Sequence, residues 1–177
     1  SINAKATHPN INAIISSQCI ARATEYLIRK KGDHASIISY CKNKVLLNKE
    51  YELYLNEINA LGNYDNLKDK DFEILCGTQP IKEPYFLPGI KGVPSDSKYT
   101  TGCVLYILKN SKSALDALQK SVRLGGDVDS IASITTGIMA GLYGLESIPK
   151  YMLDRIEGIK YLIEIGEEFE KKYKNWN

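Results

Sequence analysis

The chain of 177 residues is 44% hydrophobic and 25% charged, which is the composition of a single globular domain with a sizeable core. Its 23 basic and 21 acidic residues are mixed along the chain and leave a net charge of +2, so no basic stripe suggests nucleic acid as a partner. No apolar run is long enough to span a membrane, and the four cysteines are widely spaced, so we expect free thiols in a cytoplasmic protein without a membrane partner.

The first half of the chain predicts helices separated by glycine. Pro9 suits the first position of a helix that ends before Gly32, one or two helices are expected over residues 35–61, and a weaker one around 67–76. Residues 77–98 contain four prolines and three glycines, which predicts a long loop. A loop of this length inside a compact domain is either a functional segment or a plain surface connection.

The second half of the chain is also predicted to be helical. Helices are expected over residues 101–110, 113–124 and 129–143, with one or two more over residues 147–174. Ser113 and Asp116 have the spacing of a capping box at the start of the second of these helices. No convincing strand pattern occurs, so the sequence predicts a compact all-α domain.

The stretch GGDVDS over residues 125–130 joins two of these helices and is the candidate metal site. At a loop that enters a helix, Asp127 and Asp129 can turn their oxygens towards one point, and the glycines before them permit a left-handed turn. Ser130 adds a hydroxyl, and hard oxygen ligands suit Mg²⁺, Mn²⁺ or Ca²⁺. The alternative is an ordinary helix cap, in which an aspartate satisfies the first free amides.

The helix that follows this stretch favours the metal interpretation. It carries no charge from Ile131 to Leu145, and Ser133, Gly137 and Gly141 fall on one face with Gly144. Glycine inside a helix costs about 0.5–1 kcal/mol, so this face predicts the close approach of neighbouring helices. We therefore expect a helix that is buried on most sides. Two acids at its amino end are costly without a cation.

These residues resemble the ADP-ribosylglycohydrolase family. The resemblance rests on the G-G-D-x-D-[ST] turn at residues 125–130, the G-L-Y-G ending at residues 141–144 and the I-P pair at residues 148–149. A second match is the stretch THPNINAIISSQCIARA, which is similar to the family's [ST]-H helix and places His8 at its conspicuous position. Together these motifs cover about residues 7–31 and 99–150, and they leave residues 32–98 and the tail unassigned.

The resemblance implies an all-α orthogonal helical domain, within residues 1–177, that binds a pair of Mg²⁺ or Mn²⁺ ions. It implies a hydrolase that removes ADP-ribose from a protein or a small-molecule adduct. Asp127 and Asp129 would be catalytic and, with Ser130, would bind metal, and Asp129 would bridge the two ions. His8 would line the ADP-ribose site.

Two further residues are candidate contacts for the ligand. Gly102 would let the backbone approach a sugar, and Tyr143 would stack on adenine, as Tyr99 could; for both tyrosines core packing is the alternative. His34, in a turn between helices, is interpreted as structural. The runs of acidic residues over residues 50–57 and 69–73 alternate with lysine and are interpreted as solvated helix faces.

The family's upstream motifs are not found here: neither the G-D-A-x-G helix, nor the T-D-D metal motif, nor the N-G-x-x-M-R-like loop occurs. The resemblance therefore implies that the chain supplies one half of the di-magnesium site, because three side-chain oxygens leave Mg²⁺ mostly water-bound. Two alternatives follow. The chain is a non-catalytic binding or structural module, or a missing amino-terminal half, a separate chain or self-association completes it.

Overall fold

The computed structural model describes residues 2–77 and 92–173, and over these ranges it is all-α, as predicted. The helices are α1 Ile2–Thr7, α2 Ile11–Thr24, α3 Ile37–Lys44, α4 Lys49–Ala60, α5 Asp69–Cys76, α6 Ser97–Asn110, α7 Ala114–Arg123, α8 Val128–Tyr143, α9 Lys150–Leu153 and α10 Ile159–Tyr173. A π-helical turn, Glu25–Arg29, extends α2. The only bridge between extended residues in these ranges joins Val93 and Gly126. Most of the predicted 77–98 loop, residues 78–91, lies outside the described part of the chain.

Helix α6 is the centre of the fold. Every residue from Thr101 to Leu108 is buried, and α2, α3, α4, α5, α7 and α8 all pack against this helix. Since its apolar side chains point in all directions, α6 can be stable only inside a shell of other helices. None of the helices in the two described ranges is both long and apolar enough to cross a membrane.

Two helix starts differ from the sequence prediction, because side-chain caps decide them. Asn10, not Pro9, sets the start of α2: its Oδ1 accepts a hydrogen bond from the amide of Asn12 at 2.8 Å. Helix α6 begins at Ser97 rather than at residue 101, because Asp96 Oδ1 accepts from the amide of Lys98 at 2.9 Å. The predicted cap of α7 is confirmed, since Ser113 Oγ accepts from the amide of Asp116.

Helix α8 is not buried on most sides, which corrects the sequence prediction. One face is buried through Ile131, Ala132, Thr135, Ile138 and Met139, and it packs on α6 and α7. The small-residue face is exposed at Ser133, Gly137 and Gly141. A β-carbon on Gly137 would meet no atom within 4 Å, so this face is open there, whereas the side chain of Ile28 in the π-helical turn approaches Gly141.

Lys120 of α7 is hydrogen-bonded to the carboxyl end of α6. Lys120 is 7% exposed, and its Nζ donates to the carbonyl of Asn110 at 2.6 Å and to Asp116 Oδ2 at 2.7 Å. Burial alone would raise the pKa of Asp116, but the bonds from Lys120 and from the backbone of Lys112, with the charges of both lysines, hold it below its usual range. The pair therefore stabilises the fold at neutral pH.

We expect Lys120→Met to lower the free energy of unfolding by about 2 kcal/mol, because it leaves the half-buried carbonyl of Asn110 without its donor and Asp116 without its ion-pair partner. Because the pKa of Asp116 is lowered in the folded state, the contribution of Asp116 is present above the unfolded pKa and is lost as the pH falls through the folded pKa. Urea denaturation at pH 7 and at pH 3 measures both effects. The exposed Lys160→Met is the control, and a Lys120→Met variant as stable as the wild type at pH 7 would contradict the assignment.

Candidate functional site

The amino ends of three helices meet at one cavity of about 460 Å³. Residues before and within the first turns of α2, α6 and α8 line it, among them Asn10, Asp96 and Asp127. Serine and threonine hydroxyls form much of the remaining wall. Helix amino ends present free amides and positive dipole ends, so this cavity favours an anionic or oxygen-rich ligand.

The turn that leads into α8 is built on two glycines with left-handed backbone. Gly125 has φ 72° and Gly126 has φ 76°, which confirms the conformation expected for this stretch. The amide of Val93 donates to the carbonyl of Gly125 at 3.0 Å, and the amide of Asp127 donates to the carbonyl of Val93 at 2.9 Å. We call this pair of hydrogen bonds the Val93 clasp. It joins the segment before α6 to the segment before α8.

Asp127 occupies the cap position of α8 but caps no amide. Its backbone has φ −72° and ψ 52°, and its side chain accepts no bond from the first amides of the helix. Instead, Ser130 Oγ donates to Asp127 Oδ1 at 3.1 Å, and the side chain of Ser95 lies beside the same carboxylate at the cavity wall.

The electrostatics of Asp127 are unfavourable to its charge. Burial raises its pKa, and the neighbouring carboxyl of Asp129 raises it further, while the hydroxyls of Ser130 and Ser95 oppose the shift. The two acids therefore lie close enough to interact. A cation between them would offset the cost of keeping both ionised.

Asp129 is placed differently from Asp127. It is exposed, it does not line the cavity, and its Oδ1 accepts from the amide of Ser130 at 2.9 Å. The cap alternative from the sequence therefore describes one contact of Asp129 and does not describe Asp127. Of the other predicted site residues, His8 and Ser130 line the cavity with Asp127.

Gly102 and Tyr143 lie away from this cavity. Gly102 is buried against Tyr54, whose hydroxyl a β-carbon would overlap, so its small size serves helix packing. Tyr143 is at the opposite end of α8, where its ring stacks on His34 with centroids 6.3 Å apart. The Nδ1 of His34 lies 2.7 Å from the carbonyl of Leu108, as the structural interpretation of this histidine expects. Tyr99 packs edge-on against Tyr54.

Sequence reasoning missed the floor and one wall of the cavity. Ser16 Oγ donates to the carbonyl of Ser97 at 2.9 Å, so the buried Tyr51, 2.9 Å from the same oxygen, is the donor to Ser16. Thr101 is buried and also lines the cavity. The wall residues Ser95 and Asp96 lie inside the predicted loop, and the one local signal for them was the cap spacing of Asp96 before α6.

The donors around Asp127 fit a magnesium ion in kind. Asp127, Asp129 and Ser130 offer carboxylate and hydroxyl oxygens, which are the ligands that hard divalent cations prefer. Within residues 2–77 and 92–173, however, no group of three or more histidine, cysteine, aspartate or glutamate side chains could hold a metal ion. These residues fit part of a coordination sphere.

An all-α fold with an acidic turn at a helix amino end is the setting of the candidate site. A sequence profile of the ADP-ribosylglycohydrolase family matches residues 2–177, so the chain belongs to this family. It is a family of hydrolases that act on ADP-ribosylated substrates and are generally metal-dependent. The match includes residues 32–98 and the tail, which the motifs alone left unassigned. No curated protein and no solved structure matches the chain.

We expect Gly126→Ala to destabilise the protein by about 2 kcal/mol, because alanine is strained at positive φ and its β-carbon would overlap the carbonyl oxygen of Val93. Urea denaturation measures the change. Gly137→Ala is the matched control: it lies on the open face of α8, and we expect stabilisation of about 0.5–1 kcal/mol there. Equal effects of the two substitutions would show that the clasp does not constrain Gly126.

Proposed function

We propose that this chain is a metal-dependent hydrolase that removes ADP-ribose from a protein or a small-molecule adduct, and that it supplies one half of a di-magnesium site. One observation carries the proposal: Asp127 stands at the start of α8 without bonding any helix amide, and its carboxylate lines a cavity with His8 and Ser130. A carboxylate that only capped the helix would bond those amides.

Asp127, Asp129 and Ser130 would hold the metal ion, Mg²⁺ or Mn²⁺. A bound divalent ion supplies positive charge that stabilises negative charge developing on oxygen. The carboxylate of Asp127 at the cavity wall could take a proton from the water that attacks the anomeric carbon. Glycosidic bonds of this kind break through an oxocarbenium-like transition state, to which a nearby carboxylate is favourable.

The rest of the cavity supports an ADP-ribose ligand. Hydroxyls such as those of Ser17 and Thr100 can bond the ribose hydroxyls, and the amino end of α2, whose cap Asn10 is uncharged, suits the negative diphosphate. His8 is exposed at the rim, where its ring can donate to the substrate. Gly102 and Tyr143 have no part in this proposal, because they lie elsewhere in the fold.

A second candidate is a non-catalytic module that binds ADP-ribose. The described residues favour it in one respect, since they contain no group of three acids or histidines that could hold a metal ion by themselves. Calorimetry with ADP-ribose and Mg²⁺, followed by an assay for released ADP-ribose, separates the two. Binding without turnover supports the module, and turnover supports the hydrolase.

We expect Asp127→Asn to reduce hydrolysis of an ADP-ribosylated substrate by about 100-fold or more, because it removes the charge that binds metal and accepts a proton. The same change should not lower the melting temperature at pH 7. Since burial raises the pKa of Asp127 in the folded state, its ionised form costs stability above that pKa, and the cost disappears as the pH falls through it. The exposed Asp154→Asn is the control. Full activity of Asp127→Asn would refute the site.

Addition of Mg²⁺ should raise the melting temperature of the wild type, since a ligand that binds only the folded state stabilises it. We expect a smaller shift in Asp127→Asn and in Asp129→Asn, and an unchanged shift in Asp154→Asn. Thermal unfolding in Mg²⁺ and in EDTA measures this without a substrate. The same shift in all four proteins would place the ion away from this turn.

A further inference from the structure

The segment that precedes α6 is fixed at the cavity from both of its ends. On one side, Val93 is fully buried and makes the two bonds of the Val93 clasp. The backbones are so close there that a β-carbon on Gly92 would lie 2.7 Å from the Cα of Gly126. On the other side, Asp96 caps the first turn of α6. Ser95 lies between these two anchors.

Ser95 reaches a residue of the proposed site. Its side chain lies beside the carboxylate of Asp127: both residues line the cavity, and the amide of Asp127 is bonded to the carbonyl of Val93, two residues before Ser95. The carboxylate accepts from Ser130 Oγ at 3.1 Å and has about four lone-pair positions, so the hydroxyl of Ser95 can be a second donor and still leave acceptor capacity for a cation. Ser95 itself is exposed at the rim, so its position depends on the two anchors and not on burial of its side chain.

We propose that Ser95 is a positioning residue, which the Val93 clasp and the cap of α6 hold against Asp127 so that this carboxylate faces the cavity in a metal-binding orientation. The inference rests on the proposed function, because it assigns Ser95 to the same site. It assigns to the site a residue some 30 positions before the acidic turn. The sequence of the turn does not predict that this residue takes part.

Residues that orient a metal ligand typically change metal affinity by about 10–100-fold when they are replaced. We therefore expect Ser95→Ala to weaken Mn²⁺ binding about tenfold, measured on the full chain by the electron paramagnetic resonance signal of free Mn²⁺ and without any substrate. Ser95→Thr retains the hydroxyl and should bind Mn²⁺ within about twofold of the wild type. Ser39→Ala, an exposed serine on α3, is the control. Thermal unfolding without metal checks that each variant is folded.

The outcomes separate this inference from the proposed function. If Asp127→Asn loses Mn²⁺ while Ser95→Ala binds it like the wild type, Ser95 has no positioning role and the metal site stands. If Ser95→Thr loses as much affinity as Ser95→Ala, the hydroxyl is not the cause and the inference is wrong. If the wild type binds no Mn²⁺, the metal site fails and the role of Ser95 fails with it.

Discussion

The constraint on which the site depends is the Val93 clasp between two segments that are distant in the chain. Its two backbone hydrogen bonds bring the residues before α6 against the turn before α8. Because α6 and α8 also pack against each other, the clasp holds their amino ends together at one place. Only a turn with positive φ at Gly125 and Gly126 permits so close an approach of two backbones. The cavity, the two acids and the hydroxyls around them all follow from that approach.

The sequence predicted those features of the fold and site that have a local cause. The all-α class, the α7 cap at Ser113 and the left-handed glycine turn each follow from a few neighbouring residues, and the structure has them all. The association of His8 with Asp127 came from the family motif, and both residues line the cavity. What escaped prediction depends on distant contacts. Ser95 meets Asp127 only because the clasp pairs residues far apart, and no spacing within 92–98 indicates that pairing.

Helix α8 shows where a local pattern predicts too much. Its lack of charge and its small residues favour close packing, and the sequence therefore predicted burial on most sides. Burial, however, is a property of the neighbours. In the described ranges α6 and α7 cover the face that carries Ile131 and Ile138, while the face with Gly137 stays open. Small residues allow a neighbouring helix to approach closely, but they do not show that such a neighbour is present.

Two aspartates near helix starts in this chain have pKa values shifted in opposite directions. The comparison shows what distinguishes the candidate site. Asp116 in α7 accepts from a backbone amide and from Lys120, so its pKa is lowered and its charge stabilises the fold. Asp127, at the start of α8, has neither an amide nor a cation, and burial with Asp129 beside it raises its pKa. An aspartate cap usually stabilises a helix by about 1 kcal/mol, and Asp127 does not make this stabilising contact. A carboxylate that the fold leaves at this cost, bonded by Ser130 at the wall of a cavity, is what the proposed metal ion would complete.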